Sequence, residues 1–159
     1  KIIEEESPES YAIKAIIPSR ILIDREKGEA GESEYRLRDL DIIVVEDEVP
    51  LQKILFELFD KMGNRVFICD DGRKAIEEFK RKPCDLVITD YGIPGITGIE
   101  LSARIKEIRE DAITVLLSGW MLDNVKAYKN VVDLFLPKPF KLDELLKKIA
   151  RILGEKRNK

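Results

Sequence analysis

The segment Leu86–Gly95 reads LVITDYGIPG, an apolar, β-branched run that ends on the single carboxylate of Asp90 before a turn of glycine and proline. Other short apolar runs end in the same way. DIIVV at 41–45 leads into Glu46 and Asp47, ITVLL at 113–117 into Ser118, and VDLFL at 132–136 through Pro137 into Lys138. Brought together, these residues would form one site of three carboxylates, a hydroxyl and an ammonium. Clustered carboxylates repel one another, and their pKa values rise unless a cation offsets the charge. Mg²⁺ suits such a cluster, because it needs only one or two carboxylates, keeps several waters and binds phosphate oxygens. A carboxylate is also a nucleophile toward phosphorus. Phosphoryl transfer asks mainly for in-line positioning and neutralisation of charge on the equatorial oxygens, which Mg²⁺ and Lys138 would supply. Taken singly, each residue has a plainer reading: Asp90 as a turn former or helix cap, Ser118 before Gly119 as an ordinary turn, Lys138 between two prolines as loop surface. Their joint placement at the ends of different strands is what singles them out.

The elements that must place them alternate regularly from Asp41 onward. After DIIVV, the segment PLQKILFELFDKMG carries Ile54, Leu55, Leu58 and Met62 at helical spacing, with Pro50 suited to the first helical position and Gly63 to the stop. The unit recurs as RVFIC with GRKAIEEFKR, DLVIT with GIELSARIKEI, ITVLL with a short helix near LDNVKAYKN, and VDLFL with LDELLKKIARIL. Five such βα units predict a parallel sheet with helices on both faces, since right-handed crossovers leave few other topologies. Ligands and chemistry collect at the carboxyl ends of the strands in such a sheet. The last helix has Asp143 and Glu144 early and Lys147, Lys148 and Arg151 late, in keeping with its dipole.

Composition narrows the class further. The 159 residues are 44% hydrophobic and 37% charged, enough for one domain with a core and a partial second unit. The longest apolar runs fall far short of the ~18 residues needed to span a bilayer, and the first residues lack a signal-peptide pattern, which points to the cytoplasm. Cys69 and Cys84 lack metal or redox spacing and read as small buried thiols. Residues 1–37 hold six basic and nine acidic side chains, whereas 38–159 hold 22 of each. Neither part carries a basic patch suited to nucleic acid. Four Asn and one Gln among many Glu and Lys fit a heat-adapted source.

From about Asp41 to Gly154 the chain resembles a response-regulator receiver domain. VVEDE resembles the acidic-pair motif, TDYGIPGITG the D-x-x-M-P-x-x-x-G phosphoacceptor motif, LLSGW the switch hydroxyl, and LPKPF the lysine followed by proline. The resemblance implies a doubly wound α/β fold, flavodoxin-like, with a five-stranded parallel sheet in the order 2-1-3-4-5. It implies a domain over 38–155, a strand, hairpin or linker over 1–37 and a tail over 156–159. It further implies that Asp90 accepts a phosphoryl group from the phosphohistidine of a cognate histidine kinase or histidine phosphotransfer domain. Asp47 and Glu46, with Asp90 and the Gly92 carbonyl, would hold Mg²⁺. Ser118 and Lys138 would bind the phosphoryl group, and Ser118 and Phe135 would switch conformation toward a downstream protein target. Trp120, two residues past Ser118, and Gly92, two past Asp90, flank the path of the hydrolytic water in such domains. Trp120 is expected to cover the acyl phosphate in part, the alternative being an anchor for a partner.

Departures from the pattern are informative. Ile93 stands for the usual Met, and Val131 and Val132 for the usual Gly and Ala. The stretch from Ser118 to Lys138 is shorter than usual, so an abbreviated or distorted fourth helix is expected. Before the domain, KIIEEESPESYAIKAIIP resembles the last hairpin of a histidine-kinase ATP-binding domain, which would make the chain a segment of a hybrid kinase; the alternative is an N-terminal hairpin or arm. The sequence contains no histidine, so the phosphohistidine is expected from elsewhere. Six residues follow Leu153, and output is expected through protein contact or a neighbouring part of a longer chain. Rival classes fit poorly. A haloacid-dehalogenase-type phosphatase needs a second acid where Gly92 stands, and a dinucleotide-binding oxidoreductase needs a glycine-rich loop where EDEVP stands. A phosphorylation-independent binding module has no need of Glu46, Asp47, Asp90, Ser118 and Lys138 together.

Overall fold

The computed structural model describes residues 37–119 and 125–157. In chain order the elements are β1 (Asp41–Val45), α1 (Val49–Lys61), β2 (Arg65–Cys69), α2 (Gly72–Arg81), β3 (Leu86–Asp90), α3 (Gly98–Ile108) and β4 (Ile113–Ser118). A single 3₁₀ turn (Val125–Tyr128), β5 (Leu134–Pro137) and α4 (Leu142–Arg157) complete them. The five strands pair in parallel in the order 2-1-3-4-5, as the sequence predicts. Their register sets the site. Val45 lies opposite Thr89, so Glu46 and Asp90 leave the sheet side by side; Asp90 lies opposite Leu117, and Ser118 opposite Pro137.

The central strands are buried on both faces, which explains their continuous apolar runs. Alternate residues feed two cores. Ile42, Val44, Leu86, Ile88, Val115 and Leu117 pack with Leu55, Leu58 and Phe59 of α1 and Leu145, Leu146 and Ile149 of α4. Ile43, Val45 and Val87 pack on the other face with Ala75, Ile76 and Phe79 of α2 and Leu101 and Ile105 of α3. Each large side chain buried this way contributes about 1.5–3 kcal/mol. Cys69 and Cys84 are free and buried, and burial pushes their thiols up to about 11 and about 12. They act as small packing groups.

Contacts tie both ends of the described chain to the domain. Leu37, assigned by sequence to the preceding segment, is 1% exposed and belongs to the first core. The buried Asn64 holds it there: its amide donates to the carbonyls of Leu37 (2.8 Å) and Phe59 (3.0 Å), and its oxygen accepts from the Leu40 N–H (3.1 Å). At the other end, α4 continues through Gly154 to Arg157, tethered by Lys156, which lies 3.5 Å from Asp133 and donates to the Asp111 carbonyl. The shortened stretch after β4 contains the 3₁₀ turn, with none of its four residues buried. The expected N-terminal hairpin and Trp120 lie outside the described residues. Among the described residues no helix is long and apolar enough to cross a membrane.

The turn after β3 depends on close approach. Gly95 adopts φ +92°, Thr97 caps α3 through the Glu100 N–H (3.1 Å), and the Gly98 N–H donates to the Tyr91 carbonyl (2.9 Å). A Cβ on Gly98 would press against the Asp90 carbonyl oxygen and lie 2.6 Å from Leu116 Cδ1. Backbone cannot yield there cheaply. Gly98→Ala is therefore expected to lower stability by about 1–3 kcal/mol, the usual cost of overpacking; a denaturant melt in which the midpoint stays at the wild-type value would contradict this.

Candidate functional site

Glu46 follows β1 directly and is 1% exposed. Its N–H donates to the Cys69 carbonyl (3.0 Å), and its carboxylate accepts from the Glu48 N–H (3.0 Å) and from Lys138 Nζ (3.3 Å). Burial pushes this carboxyl up to about 7; the Glu48 N–H and Lys138 oppose the rise and the charge of Asp90 adds to it. Asp90, the last residue of β3, is half-buried, with Oδ1 accepting from the Tyr91 N–H (2.8 Å) and Oδ2 lying 3.3 Å from Lys138 Nζ. Asp47 is exposed at the mouth. Ligand oxygens of Glu46, Asp47 and Asp90 can lie within 4.8 Å of one another.

Lys138 comes to the site from β5. Its backbone N–H donates to the Ser118 carbonyl (2.7 Å), and the peptide to Pro139 is cis. Burial works against its charge, but Glu46 and Asp90 outweigh that effect and hold its pKa above the ordinary amine value. It remains an ammonium at neutral pH.

Ser118 ends β4 and is 1% exposed. Phe135 is half-buried on β5 and lies opposite Leu116. Gly92 is exposed, and a Cβ on it would meet nothing within 4 Å. The fold thus joins the side chains of Glu46, Asp47, Asp90 and Lys138 directly, with Ser118 on the adjoining strand end. Sequence reasoning missed the groups that hold the carboxylates still. The Glu48 and Tyr91 donors are backbone groups without a side-chain signature. Gln52, whose side-chain amide donates to the Glu46 carbonyl, looks like any polar helical residue.

The donor set is all oxygen: one buried, one half-buried and one exposed carboxylate, with open space at Gly92. That set fits a hard cation such as Mg²⁺, which retains several waters.

Comparison with known proteins bears on the same domain. The model of the response regulator receiver domain family matches residues 42–150. Sporulation initiation phosphotransferase F of Bacillus subtilis is 31% identical over 119 residues, 74% of this chain and 96% of that protein. Transcriptional activator protein PfeR of Pseudomonas aeruginosa is 36% identical over 107 residues, which cover 65% of this chain and only 34% of PfeR. Among solved structures, response regulator TrrA of Thermotoga maritima in complex with Mg²⁺-BeF aligns with a TM-score of 0.64 at 29% identity, covering 71% of this chain and 97% of that one. Receiver domains bind Mg²⁺ at acidic residues and interact with histidine kinases or phosphotransfer proteins. With the expected strand order, strand-end carboxylates and lysine all in place, this chain belongs to the response regulator receiver domains, the phosphoacceptor modules of two-component systems.

Proposed function

We propose that Asp90 is the phosphoacceptor and that Glu46, Asp47, Asp90 and the Gly92 carbonyl hold Mg²⁺. The observation that supports this most strongly is the Lys138 ammonium, 3.3 Å from both Glu46 and Asp90, beside three carboxylates able to approach within 4.8 Å. A carboxylate oxygen of Asp90 attacks the phosphorus of a phosphohistidine. As the O–P bond forms, the P–N bond breaks and the imidazole keeps the electron pair. In a separate, later step, water attacks the same phosphorus, the Asp90 O–P bond breaks, and the carboxylate and inorganic phosphate are released. Bound Mg²⁺ supplies neutralisation of the phosphoryl oxygens.

The chain's own residues do the rest. The Tyr91 N–H orients the Asp90 carboxylate, and Lys138 pairs with the incoming phosphoryl oxygens. Ser118 closes on the phosphoryl group through its hydroxyl, and Phe135 turns inward with it. The sequence has no histidine, so the donor is a histidine kinase or phosphotransfer protein supplied from outside it. The rearranged surface contacts a downstream protein target.

Intact-mass measurement tests the acceptor: with Mg²⁺ and a small acyl phosphate the wild type should gain one phosphoryl group and Asp90→Asn none. Equal labelling of both, or no labelling of the wild type by any donor, would remove Asp90 from the role.

Titration calorimetry separates metal from phosphoryl binding. Asp47→Asn should lose at least the roughly 10–100-fold in Mg²⁺ affinity that follows loss of an outer partner. Lys138→Ala should keep Mg²⁺ while phosphorylation slows about 10²-fold, the cost of removing one aimed donor. An Asp47→Asn protein with unchanged Mg²⁺ affinity would overturn the site.

Gly92→Leu places an apolar side chain in open space beside Asp90. The protein should fold normally and hold its aspartyl phosphate longer than wild type, because water reaches the phosphorus less easily. A lifetime equal to that of wild type would show that the hydrolytic path runs elsewhere.

A further inference from the structure

Gln52 is the only glutamine in the sequence and lies half-buried in α1. Its own N–H makes the helical bond to Glu48 (3.0 Å), while its side-chain amide reaches back to the Glu46 carbonyl oxygen. The paired register of β1 ends at Val45, one residue earlier, so that carbonyl stands beyond the sheet ladder. The remaining polar atoms of Glu46 are held by Cys69, Glu48 and Lys138. A peptide unit is planar, so the Glu46 oxygen and the Asp47 N–H share one plane. A donor fixed on that oxygen fixes the tilt of the single peptide joining the two acidic residues. The donor is carried by a helix, whose backbone is itself held by a hydrogen-bonded ladder and by buried Ile54, Leu55 and Leu58.

We propose that Gln52 is a positioning residue for the metal site: through the Glu46 carbonyl it sets the orientation in which Glu46 and Asp47 present their carboxylates to Mg²⁺. This rests on the assignment of the metal site made above. Gln52 touches neither the ion nor the reacting atoms.

The test measures Mg²⁺ affinity of the full chain by calorimetry with Gln52→Met, which keeps length and helix propensity but removes the donor, and Gln52→Arg, which restores an N–H donor. Gln52→Met should bind Mg²⁺ about tenfold more weakly, as other outer supports of metal sites do, with its Mg²⁺-free melting temperature unchanged. Gln52→Arg should return to near wild-type affinity. Wild-type affinity in Gln52→Met, equal losses in both variants, or a loss matched by a fall in melting temperature would each overturn the proposal. Asp47→Asn, run alongside, distinguishes the two failures: if it too binds Mg²⁺ normally, the metal assignment itself is wrong.

Discussion

The ammonium of Lys138 between Glu46 and Asp90 is the interaction on which the carboxyl edge of the sheet depends. Two unit charges ~4 Å apart interact by about 4 kcal/mol at an effective dielectric near 20, so carboxylates gathered at one edge oppose folding unless a cation stands among them. Such a buried pair is not in itself a gain, because desolvation offsets much of the attraction. Its effect is to let acidic groups share a small space. The raised carboxyl of Glu46 shows how far the balance is strained: the residue is fully enclosed, and Lys138 and one backbone N–H only partly counter the burial.

Everything else in the fold serves to deliver those groups from different strands. Parallel pairing with β1 beside β3, β3 beside β4 and β4 beside β5 lines up Glu46, Asp90, Ser118 and Lys138 in adjacent columns. The two cores hold the columns flat from opposite faces. At the far edge of the sheet, Asp133 accepts from the Thr114 N–H (2.8 Å) and from Lys106 (2.6 Å), and this clamp secures β4 against β5 at the end away from the site. One edge therefore gathers Glu46, Asp47 and Asp90 near Lys138, and the other carries Asp133 held by Thr114 and Lys106.

Much of this was legible in the sequence. Strands buried on both faces leave unbroken runs such as LVITD, and helices covering them leave apolar residues three and four apart, so order and type of element could be read directly. Asp90, Asp47 and Lys138 are visible because each ends or follows such a run, while the roles proposed for them rest on the motifs around them. The supports were not legible. Asn64 looks like a turn residue beside Gly63, yet it ties Leu37 into the core across a long stretch of chain. The last helix runs on past Gly154, a residue type that disfavours helix interiors, and Lys156 near its end lies 3.5 Å from Asp133. The donors from Glu48 and Tyr91 belong to the main chain, which no side-chain pattern reports.

The 3₁₀ turn at Val125–Tyr128 has a consequence for how the molecule breathes. None of its residues is buried, and Leu134 and Phe135 beyond it are half-buried, whereas β1, β3 and β4 are covered on both faces. Regions with sparse burial open at a fraction of the global unfolding free energy, as separate cooperative units. The turn lies between Ser118 and Lys138, so a thinly covered part of the chain is bracketed by a strand-end hydroxyl and a strand-end ammonium. On the role proposed above for Ser118 and Lys138, a phosphoryl group would pull on the two ends that flank this turn, while Glu46 and Asp90 stand on strands covered from both faces.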